Sequence, residues 1–541
     1  MSAGTAAPDR MDARTGRDAA GQGSFAHVLR AEWTKFRTVR GWVIGMVVAA
    51  LVTVLVGYLS AAGSHTGCGT SGGACHFIVP LGPGGEAVTD SFYFVHQPLA
   101  GNGSITARVT MLTGTLPSAS GGRVHANIGG NPRATTHPGV EQWSKAGIII
   151  KESTRRGSAY AAVMVTGGHG VRMQYDYTQD IAGPPGRPST ASPRWLRLTR
   201  SGDTITGYAS ADGTHWTQIG TATLAGLPGT VQAGLFATSP AYSLTTSQGL
   251  AGTSSTGGPT TATGVLDHVT LYGAWRAGGW RGDLIGGGPS DPYPVQGGGY
   301  HQAGGAFSVT GSGDIAPDLN NGPGPGQSIQ FSLVGTFFGL IAVVVVAVMF
   351  ITAEYRRGLI RTTLAASPRR GQVLAAKAVV IGAVAFVAGL VAAVVAIPVN
   401  SAVSRGNGNY VLPVSALTEV RMVLGTGALL AGAAILALAV GAALRRSAIT
   451  VTVVIVVIVL PYLISVINLL SAGGDQWLLR LVPAAAFSIQ QAIPNYPQVS
   501  NVCTPGTGCY PLAPWTGFAV LCAWALAALG LAVVLLRRRD A

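Results

Sequence analysis

Apolar residues in this 541-residue chain gather into six long uncharged stretches, with a long polar region between the first and the second. The stretches cover residues 42–62, 333–353, 378–399, 422–444, 448–470 and 515–536. Each is long enough for a membrane-crossing helix, which needs ~20 apolar residues. The pattern therefore predicts six transmembrane helices and a function performed in or across a membrane.

Basic residues mark one side of the membrane. They precede the first stretch, fill the link between the second and the third, and follow the fourth and the sixth. The positive-inside rule then makes both chain ends cytoplasmic. This topology places 18 basic and 6 acidic residues inside, against 17 basic and 15 acidic residues outside. The net charge of +14 is thus expected to anchor the chain to anionic membrane lipids, and nucleic-acid binding is not expected.

A short amphipathic helix is predicted just before the first span. Phe25, Leu29, Trp33 and Phe36 follow helical spacing and share one face. Such a face is typical of a helix that lies in the membrane interface. The first span is longer than the apolar core of a signal peptide, so we interpret residues 25–62 as interfacial helix plus membrane span. Residues 1–24 are interpreted as a disordered cytoplasmic lead.

The region between the first two spans has the pattern of β structure. From residue 76 to residue 275, short runs rich in β-branched and aromatic residues are separated by turn signals such as Gly167-Gly168 and Asp212-Gly213. This spacing predicts a β-sandwich or jelly roll. Residues 63–75 and 276–327 are rich in glycine and are predicted to be linkers. The predicted fold class is an α-helical polytopic membrane protein with an inserted all-β extracellular domain, followed by spans two to six in residues 328–541.

Four of the five cysteines form two close pairs on the predicted outer side. Cys68 and Cys75 follow the first span, and Cys503 and Cys509 lie between the last two spans. An oxidising compartment favours a disulfide within each pair. Histidines flank the first pair, but their spacing matches no familiar zinc pattern, so no metal site is predicted.

Candidate catalytic chemistry is sparse. Glycoside cleavage needs two carboxylates facing across a cleft, and Glu86, Glu141 and Glu152 form no pair in sequence. Trp143, Trp195 and Trp216 could stack on sugars or pack in the core, and both interpretations stay open. The phosphate-binding motif G-x-x-x-x-G-K-[ST] does not occur, so the chain is not expected to be an enzyme or to bind a cofactor, and ATP would be bound by a partner.

Two segments resemble a known group of extracellular domains. They are WSKAGIIIKESTRRGSAYAAVMVTGGHGVRMQY (143–175) and WLRLTRSGDTITGYASADGTHWTQIG (195–220). Their strand order and their two hairpins are similar to concanavalin A-like or laminin G-like sandwich domains of bacterial extracellular proteins. The resemblance implies a domain that often binds glycans or other surface polymers.

The segments beside the spans resemble bacterial ABC exporter permeases. LRAEWTKFRTVRGW (29–42) is similar to their N-terminal start, and TAEYRRGLIRTTLAASPRRGQVLAAKAVV (352–380) to the link after their second span. LLRLVPAAAFSIQQ (478–491) resembles their external segment ahead of the last span. The resemblance implies a bacterial cell-membrane permease that works with a separate ATPase subunit, as a homodimer or permease pair.

The resemblance also assigns ATPase coupling to residues 352–377. The residues expected to carry it are Glu354, Tyr355, Arg356, Arg357, Gly358 and Arg361. Glu354 could instead neutralise the nearby arginines, and the arginines could merely set the topology. The uncharged spans suit amphipathic or lipophilic cargo better than small ions. The alternative function is a membrane-anchored receptor whose sandwich binds glycan or cell-wall polymer.

Overall fold

The computed structural model describes residues 25–65, 67–68, 73–74, 79–117, 136–247, 253–275, 278–287, 297–319, 326–356, 358, 370–467, 469–470, 472–499 and 503–538. These residues form a helical bundle and an all-β domain inserted between the first two membrane-crossing helices. The predicted fold class is confirmed.

The helices follow the apolar stretches. They are α1 (Phe25–Thr38), α2 (Arg40–Gly63), α3 (Thr336–Arg356), α4 (Arg370–Gly406), α5 (Ala416–Leu444), α6 (Ser447–Val466), α7 (Ala472–Leu481) and α8 (Pro514–Arg538). Short 3₁₀ segments occupy Ile329–Leu333, Pro483–Gln490 and Pro505–Thr507. Six of these helices, all but α1 and α7, are long and apolar enough to cross a membrane. The helix α4 extends well beyond the predicted 378–399, because it continues through polar residues at both ends.

The helix α5 lies at the centre of the bundle. Most of its length is buried, whereas α2 and α8 expose most of theirs. A glycine permits a close approach between α2 and α4: a Cβ at Gly57 would collide with the amide nitrogen of Asn400. That amide donates a 2.8 Å hydrogen bond to the carbonyl of Ser332, just before α3. Small residues at helix contacts are the usual means of packing spans in a membrane.

The strands are numbered in chain order. They are β1 (Gly67–Cys68), β2 (Gly73–Ala74), β3 (Val88–Asp90), β4 (Phe92–Pro117), β5 (Thr136–Pro138), β6 (Lys145–Lys151), β7 (Tyr160–Thr166), β8 (Val171–Tyr175), β9 (Gln179–Ala182), β10 (Arg194–Ser201), β11 (Thr204–Ser210), β12 (Thr217–Thr223), β13 (Thr230–Thr238), β14 (Tyr242–Ser247), β15 (Thr253–Gly258), β16 (Thr261–Trp275), β17 (Arg281–Ile285), β18 (Gly299–Ala303), β19 (Ala306–Gly311), β20 (Ile315–Pro317), β21 (Gly326–Ser328) and β22 (Tyr410–Leu412).

The long strand β4 joins two layers of antiparallel sheet. Its first part pairs with β13 and β17, and β13 leads on to β6, β7, β8 and β9. Beyond the turn at Gly101 it pairs with β10 and β16, and β10 leads on to β11 and β12. Side chains from both layers fill one apolar core, which includes Val95, Ile148 and Leu196. The layers approach closely enough that a Cβ at Gly207 of β11 would lie 2.6 Å from Val163 of β7.

The glycine-rich segments are more ordered than their composition suggests. Within the predicted linker 276–327, β17 pairs with β4, β18 and β19 extend the sheet at β16, and β20 pairs with β3. Much of this segment therefore belongs to the β domain and differs from the predicted tether. Its glycines fit because edge strands and turns tolerate them when neighbouring strands supply the core. In the first linker, β1 pairs with β2.

The β domain is seated on loops at one end of the bundle. Its last strand, β21, pairs in parallel with β22, which lies between α4 and α5. Val79 and Ala87 of the β domain share a small apolar cluster with Leu412 of β22. Partly buried Tyr410 and Ile493 pack against this cluster. The two parts of the chain thus meet along a defined seam.

Candidate coupling site at the membrane edge

The helix α1, which the sequence predicts to lie in the membrane interface, packs one edge against the bundle. Phe36 is buried, and its ring lies 5.8 Å from that of Phe350 and 6.1 Å from that of Trp42. Leu29 is partly buried against the same core. Phe25 and Trp33, predicted on the same face, are exposed. Two residues of the predicted face, Leu29 and Phe36, therefore pack against the bundle, and the other two remain exposed.

Four charged side chains close a ring at this contact. Lys35 of α1 lies 2.7 Å from Glu32 and 3.1 Å from Glu354 at the end of α3. Lys377 of α4 lies 2.5 Å from Glu32 and 2.7 Å from Glu354. Each lysine touches both glutamates, so the ring alternates in charge and is neutral. We call these four residues the charge ring; it joins α1, α3 and α4.

Three members of the charge ring are buried. Glu32 and Lys377 are each 1% exposed, and the Glu354 side chain is 8% exposed. Lys377 also lies 4.8 Å above the Phe350 ring, a favourable cation–π position. Removing one partner from a buried ion pair typically costs ~3–5 kcal/mol because the other charge is left buried and uncompensated. The charge ring is therefore expected to resist separation of its three helices.

Lys35 is the exposed member of the charge ring. Burial alone would lower its pKa, but the hydrogen bond and the charge of Glu32, with Glu354 beside it, raise that pKa above the ordinary value. A lysine with a raised pKa is protonated throughout the physiological range. Lys35 consequently contributes a positive charge to the ring throughout that range.

The predicted coupling residues have different surroundings. Glu354 is not exposed, and among the described residues it pairs with Lys35 and Lys377. Its Oε2 atom is buried and has no hydrogen-bond partner among the described residues. Tyr355 is half-buried, with the Arg445 guanidinium 5.2 Å above its ring.

The remaining predicted coupling residues lie around the end of α3. Arg356 is exposed, and so is Gly358, whose amide donates a 3.3 Å hydrogen bond to the Tyr355 carbonyl. Gly358 has φ +68°, a left-handed conformation that glycine adopts freely and that commonly ends a helix. Arg357 and Arg361 lie outside the described residues.

Sequence reasoning missed three members of the charge ring. Glu32, Lys35 and Lys377 were counted only as charges that set topology. One signal was available: Glu32 lies three residues after Leu29 and four before Phe36, which places a carboxylate on the apolar face of α1. A charge in that position implies a buried partner.

The cysteine predictions have separate outcomes. Cys503 and Cys509 form a disulfide, as predicted. Cys75 and the side chain of Cys68 lie outside the described residues, so that pairing stays a prediction. In the described ranges, no group of three or more His, Cys, Asp and Glu side chains is arranged to hold a metal ion.

The tryptophans of the β domain divide between core and surface. Trp143 is buried, and its ring stacks 3.9 Å from that of His169. Trp195 and Trp216 are partly exposed on the outer layer, where Arg108 lies over the first ring and Arg197 over the second. Packing is therefore the role of Trp143, and sugar stacking stays open for the other two.

Six membrane-crossing helices with an inserted β domain define a multi-pass membrane protein. The chain belongs to the ABC-2 family of transporter proteins: the model of that family matches residues 205–541, more than half of the chain. This match confirms the predicted resemblance to ABC permeases at the level of the family. Permeases of this family are membrane subunits of ABC transporters and work with an ATP-binding subunit.

No curated protein matches the chain. Among solved structures, a functionally unknown protein from Saccharomyces cerevisiae is 13% identical, covers 38% of this chain and 85% of its own, and has a TM-score of 0.21. Scytalido-glutamic peptidase with a transition state analog inhibitor is 10% identical, covers 41% and 98%, and has a TM-score of 0.22. The GH43 protein BlXynB from Bacillus licheniformis is 18% identical, covers 25% and 24%, and has a TM-score of 0.16. No argument about fold or activity rests on such low scores.

Proposed function

We propose that this chain is the permease subunit of an ABC exporter, driven by a separate ATPase that docks on the cytoplasmic loop after the second span. The observation that carries this proposal is the charge ring. Residues 357–369 connect α3 to α4 in the chain, and both of these helices contribute a buried charge to the ring. A displacement of the loop would therefore move α3, α4 and α1 together.

The docking surface in this proposal is basic. Between Tyr355 and Lys377 the sequence contains five arginines and no acidic residue. Glu354 stands at the start of this stretch but is occupied within the charge ring. We assign docking to Arg356, Arg357, Gly358 and Arg361, and we assign force transmission to Glu354.

The outer disulfide supports the proposed orientation. Disulfides persist in oxidising compartments, so Cys503–Cys509 favours an extracellular position for the loop between α6 and α8. Gln498 of the same loop donates hydrogen bonds to Tyr177 and Thr178 of the β domain. The β domain would then be extracellular, with both chain ends in the cytoplasm.

An apolar or amphipathic cargo is the class that the bundle suits best. A cavity of about 40 Å³ lies between α3, α6 and the external loop, and the rings of Phe337, Tyr462 and Phe487 line it at 4.6–6.3 Å from one another. Gln490 adds a polar group, which is bonded to Thr336 and Thr426. A water molecule needs ~10–15 Å³ of such volume, so the cavity holds only a few water molecules. Transport would therefore require this region to open.

Affinity purification tests the docking proposal. Tagged full-length chain would be isolated from its native membranes in mild detergent, and co-purifying proteins quantified by mass spectrometry. We expect a stoichiometric ABC ATPase with the wild type and its loss with Arg356→Glu, Arg357→Glu and Arg361→Glu combined. The control is Arg480→Glu, a single charge reversal on the proposed outer side, which should retain the ATPase. Retention by the triple variant, or equal loss in the control, would contradict docking at this loop.

Polymer binding by the β domain is the second candidate function. A cluster of side chains around Trp195 favours this function. Arg108 donates to both carboxylate oxygens of Asp267 at 2.7 Å and lies over the Trp195 ring. His268 stands over the Trp195 ring at 5.4 Å. Aromatic rings flanked by fixed polar groups are a common means of holding sugars. Co-sedimentation of the full-length chain with purified cell-wall polymer should weaken in Trp195→Ala, and equal sedimentation of the variant would argue against this cluster.

A further inference from the structure

A strained turn of the β domain contacts the external loop of the bundle. Asp176 has φ +43° and Tyr177 has φ +60°, both in the left-handed region that non-glycine residues adopt at a cost. The Tyr177 hydroxyl donates to Asp90 at 2.9 Å and accepts from Lys151 at 3.0 Å. All three side chains are buried. The side chain of Tyr177 thus fixes this turn to the core of the β domain.

The fixed turn offers two carbonyls to the bundle. The side-chain amide of Gln498, between α7 and α8, donates to the carbonyls of Tyr177 at 3.4 Å and Thr178 at 3.1 Å. Gln498 is only 1% exposed. A buried side-chain amide that lacks acceptors costs ~1–3 kcal/mol of stability. Gln498 finds its acceptors in the β domain, so its burial is favourable only while the β domain stays docked on the bundle.

Two carboxylates crowd this contact. The Oδ1 atom of Asp176 is buried and has no hydrogen-bond partner in the described part of the chain. The Glu86 carboxylate lies close to the Tyr177 ring, because both approach Gly82. A Cβ at Gly82 would collide with the Glu86 carboxylate and lie 3.1 Å from the Tyr177 ring. The charge of Glu86 acts on Asp176 and on Tyr496 of the external loop. Two negative charges therefore share a partly dehydrated seam.

The neighbouring elements do not neutralise these charges fully. Besides the two carboxylates, the titratable and charged groups around the seam include Asp90 on β3, Lys151 and Glu152 around the end of β6, Tyr160 on β7, Tyr177 in the turn and Tyr496 on the external loop. Arg156 and Asp318 also lie on segments that pack against the hairpin of Glu86: a Cβ at Gly157 would collide with the Leu81 carbonyl, and the Asp318 amide donates to the Ala87 carbonyl. Lys151 is already bonded to Asp90 at 2.8 Å. The set as a whole keeps an excess of carboxylates.

We propose that the turn Asp176–Thr178 and Gln498 form a latch that fastens the β domain to the loop between the last two spans, and that acidification of the outer medium closes this latch. The latch would let the surroundings of the β domain bias the conformation of the membrane bundle. This goes beyond the proposed permease function, because it concerns how the β domain communicates with the spans.

The direction of the pH effect follows from the two carboxylates. Burial, with the nearby charge of Glu86, raises the pKa of Asp176 to about 6. Burial also raises the pKa of Glu86. A state that raises a carboxylate pKa binds protons more tightly and is favoured as the pH falls. The latch should therefore strengthen as the pH falls through about 6 and loosen above it.

Hydrogen exchange of the full-length chain in lipid nanodiscs measures the latch. The readout is the protection factor of peptides covering residues 79–90 and 493–499, corrected for intrinsic exchange, at pH 5.5 and pH 7.5. A single carboxylate with a pKa near 6 in the closed latch and an ordinary pKa in the open one gives about fourfold more protection at the lower pH. Peptides from β6 and β7 should show no such change.

Variants separate the latch from general stability. Asp176→Asn tolerates the left-handed conformation, and we expect it to show the higher protection at both pH values. Gln498→Ala should lower protection at both. Asp203→Asn, a carboxylate in a distant hairpin, should keep the fourfold difference. Equal wild-type protection at the two pH values, or an undiminished difference in Asp176→Asn, would overturn the proposal.

Discussion

The charge ring gathers residues that are far apart in the chain. Lys377 and Glu32 are separated by 345 positions, and Lys35 and Glu354 by 319. Each glutamate is held by both lysines, so deleting one lysine leaves two acids for one cation. Removing one charge of a buried ion pair lowers stability more than removing both charges does, because the remaining charge stays buried without a partner. Single and double substitutions in the charge ring should therefore differ in their effect on stability.

Lys377→Met should be more damaging than a double variant that also removes an acid. The single change leaves Glu32 and Glu354 with Lys35 alone, and we expect a loss of ~3–5 kcal/mol. Lys377→Met with Glu354→Gln leaves the Glu32–Lys35 pair and should recover most of that loss. Thermal unfolding in nanodiscs would measure both, with exposed Arg446→Met as a neutral control. A double variant no more stable than the single one would show that the ring does not act as a unit.

At the scale of elements, the hydropathy pattern was sufficient to predict the membrane-crossing helices. Each of the six apolar stretches became a membrane-crossing helix, because a stretch of that length satisfies its own backbone only as a helix. The short β-type runs of residues 76–275 likewise formed strands, among them β6 and β11. These elements are predictable because their signal is local.

Other elements depended on partners distant in sequence. Residues 281–311 are rich in glycine, yet β17 pairs with β4, and β19 pairs with β16. The candidate site could likewise be predicted only in part. The sequence pointed to the region of Glu354, but not to its lysine partners. Burial of Lys377 depends on α1 and α3 packing beside α4, which no local pattern encodes. The concanavalin A-like assignment stays a prediction.

Breaking α1 should uncouple it from the bundle. Ala31 is exposed on α1, so Ala31→Pro disturbs the helix backbone without replacing a residue of the charge ring. A proline in a helix interior costs ~3 kcal/mol or more. We expect faster tryptic cleavage at Lys35 and a lower midpoint of thermal unfolding. Ala31→Ser is the matched control and should resemble the wild type; equal cleavage of the two variants would show that α1 is not held by its packing.

At the scale of the whole molecule, the two ends of the bundle are tied differently. On the proposed inner side, the buried charges of the ring hold α1, α3 and α4 together. On the outer side, strand pairing, a small apolar cluster and the Gln498 contact hold the β domain to the loops. A change at either end would therefore reach the other through α3 and α4, the helices that both ends share.

The position of the β domain also constrains how the protein is made. All its strands from β3 to β21 lie between α2 and α3, and β4 needs β16 and β17 to complete its sheet. With the proposed topology, some 260 residues must pass the insertion machinery unfolded before α3 enters the bilayer. The pairing of β21 with β22 must then wait until α4 has been inserted. Biosynthesis would thus proceed in two stages, with export and folding of the domain before its docking onto the finished bundle.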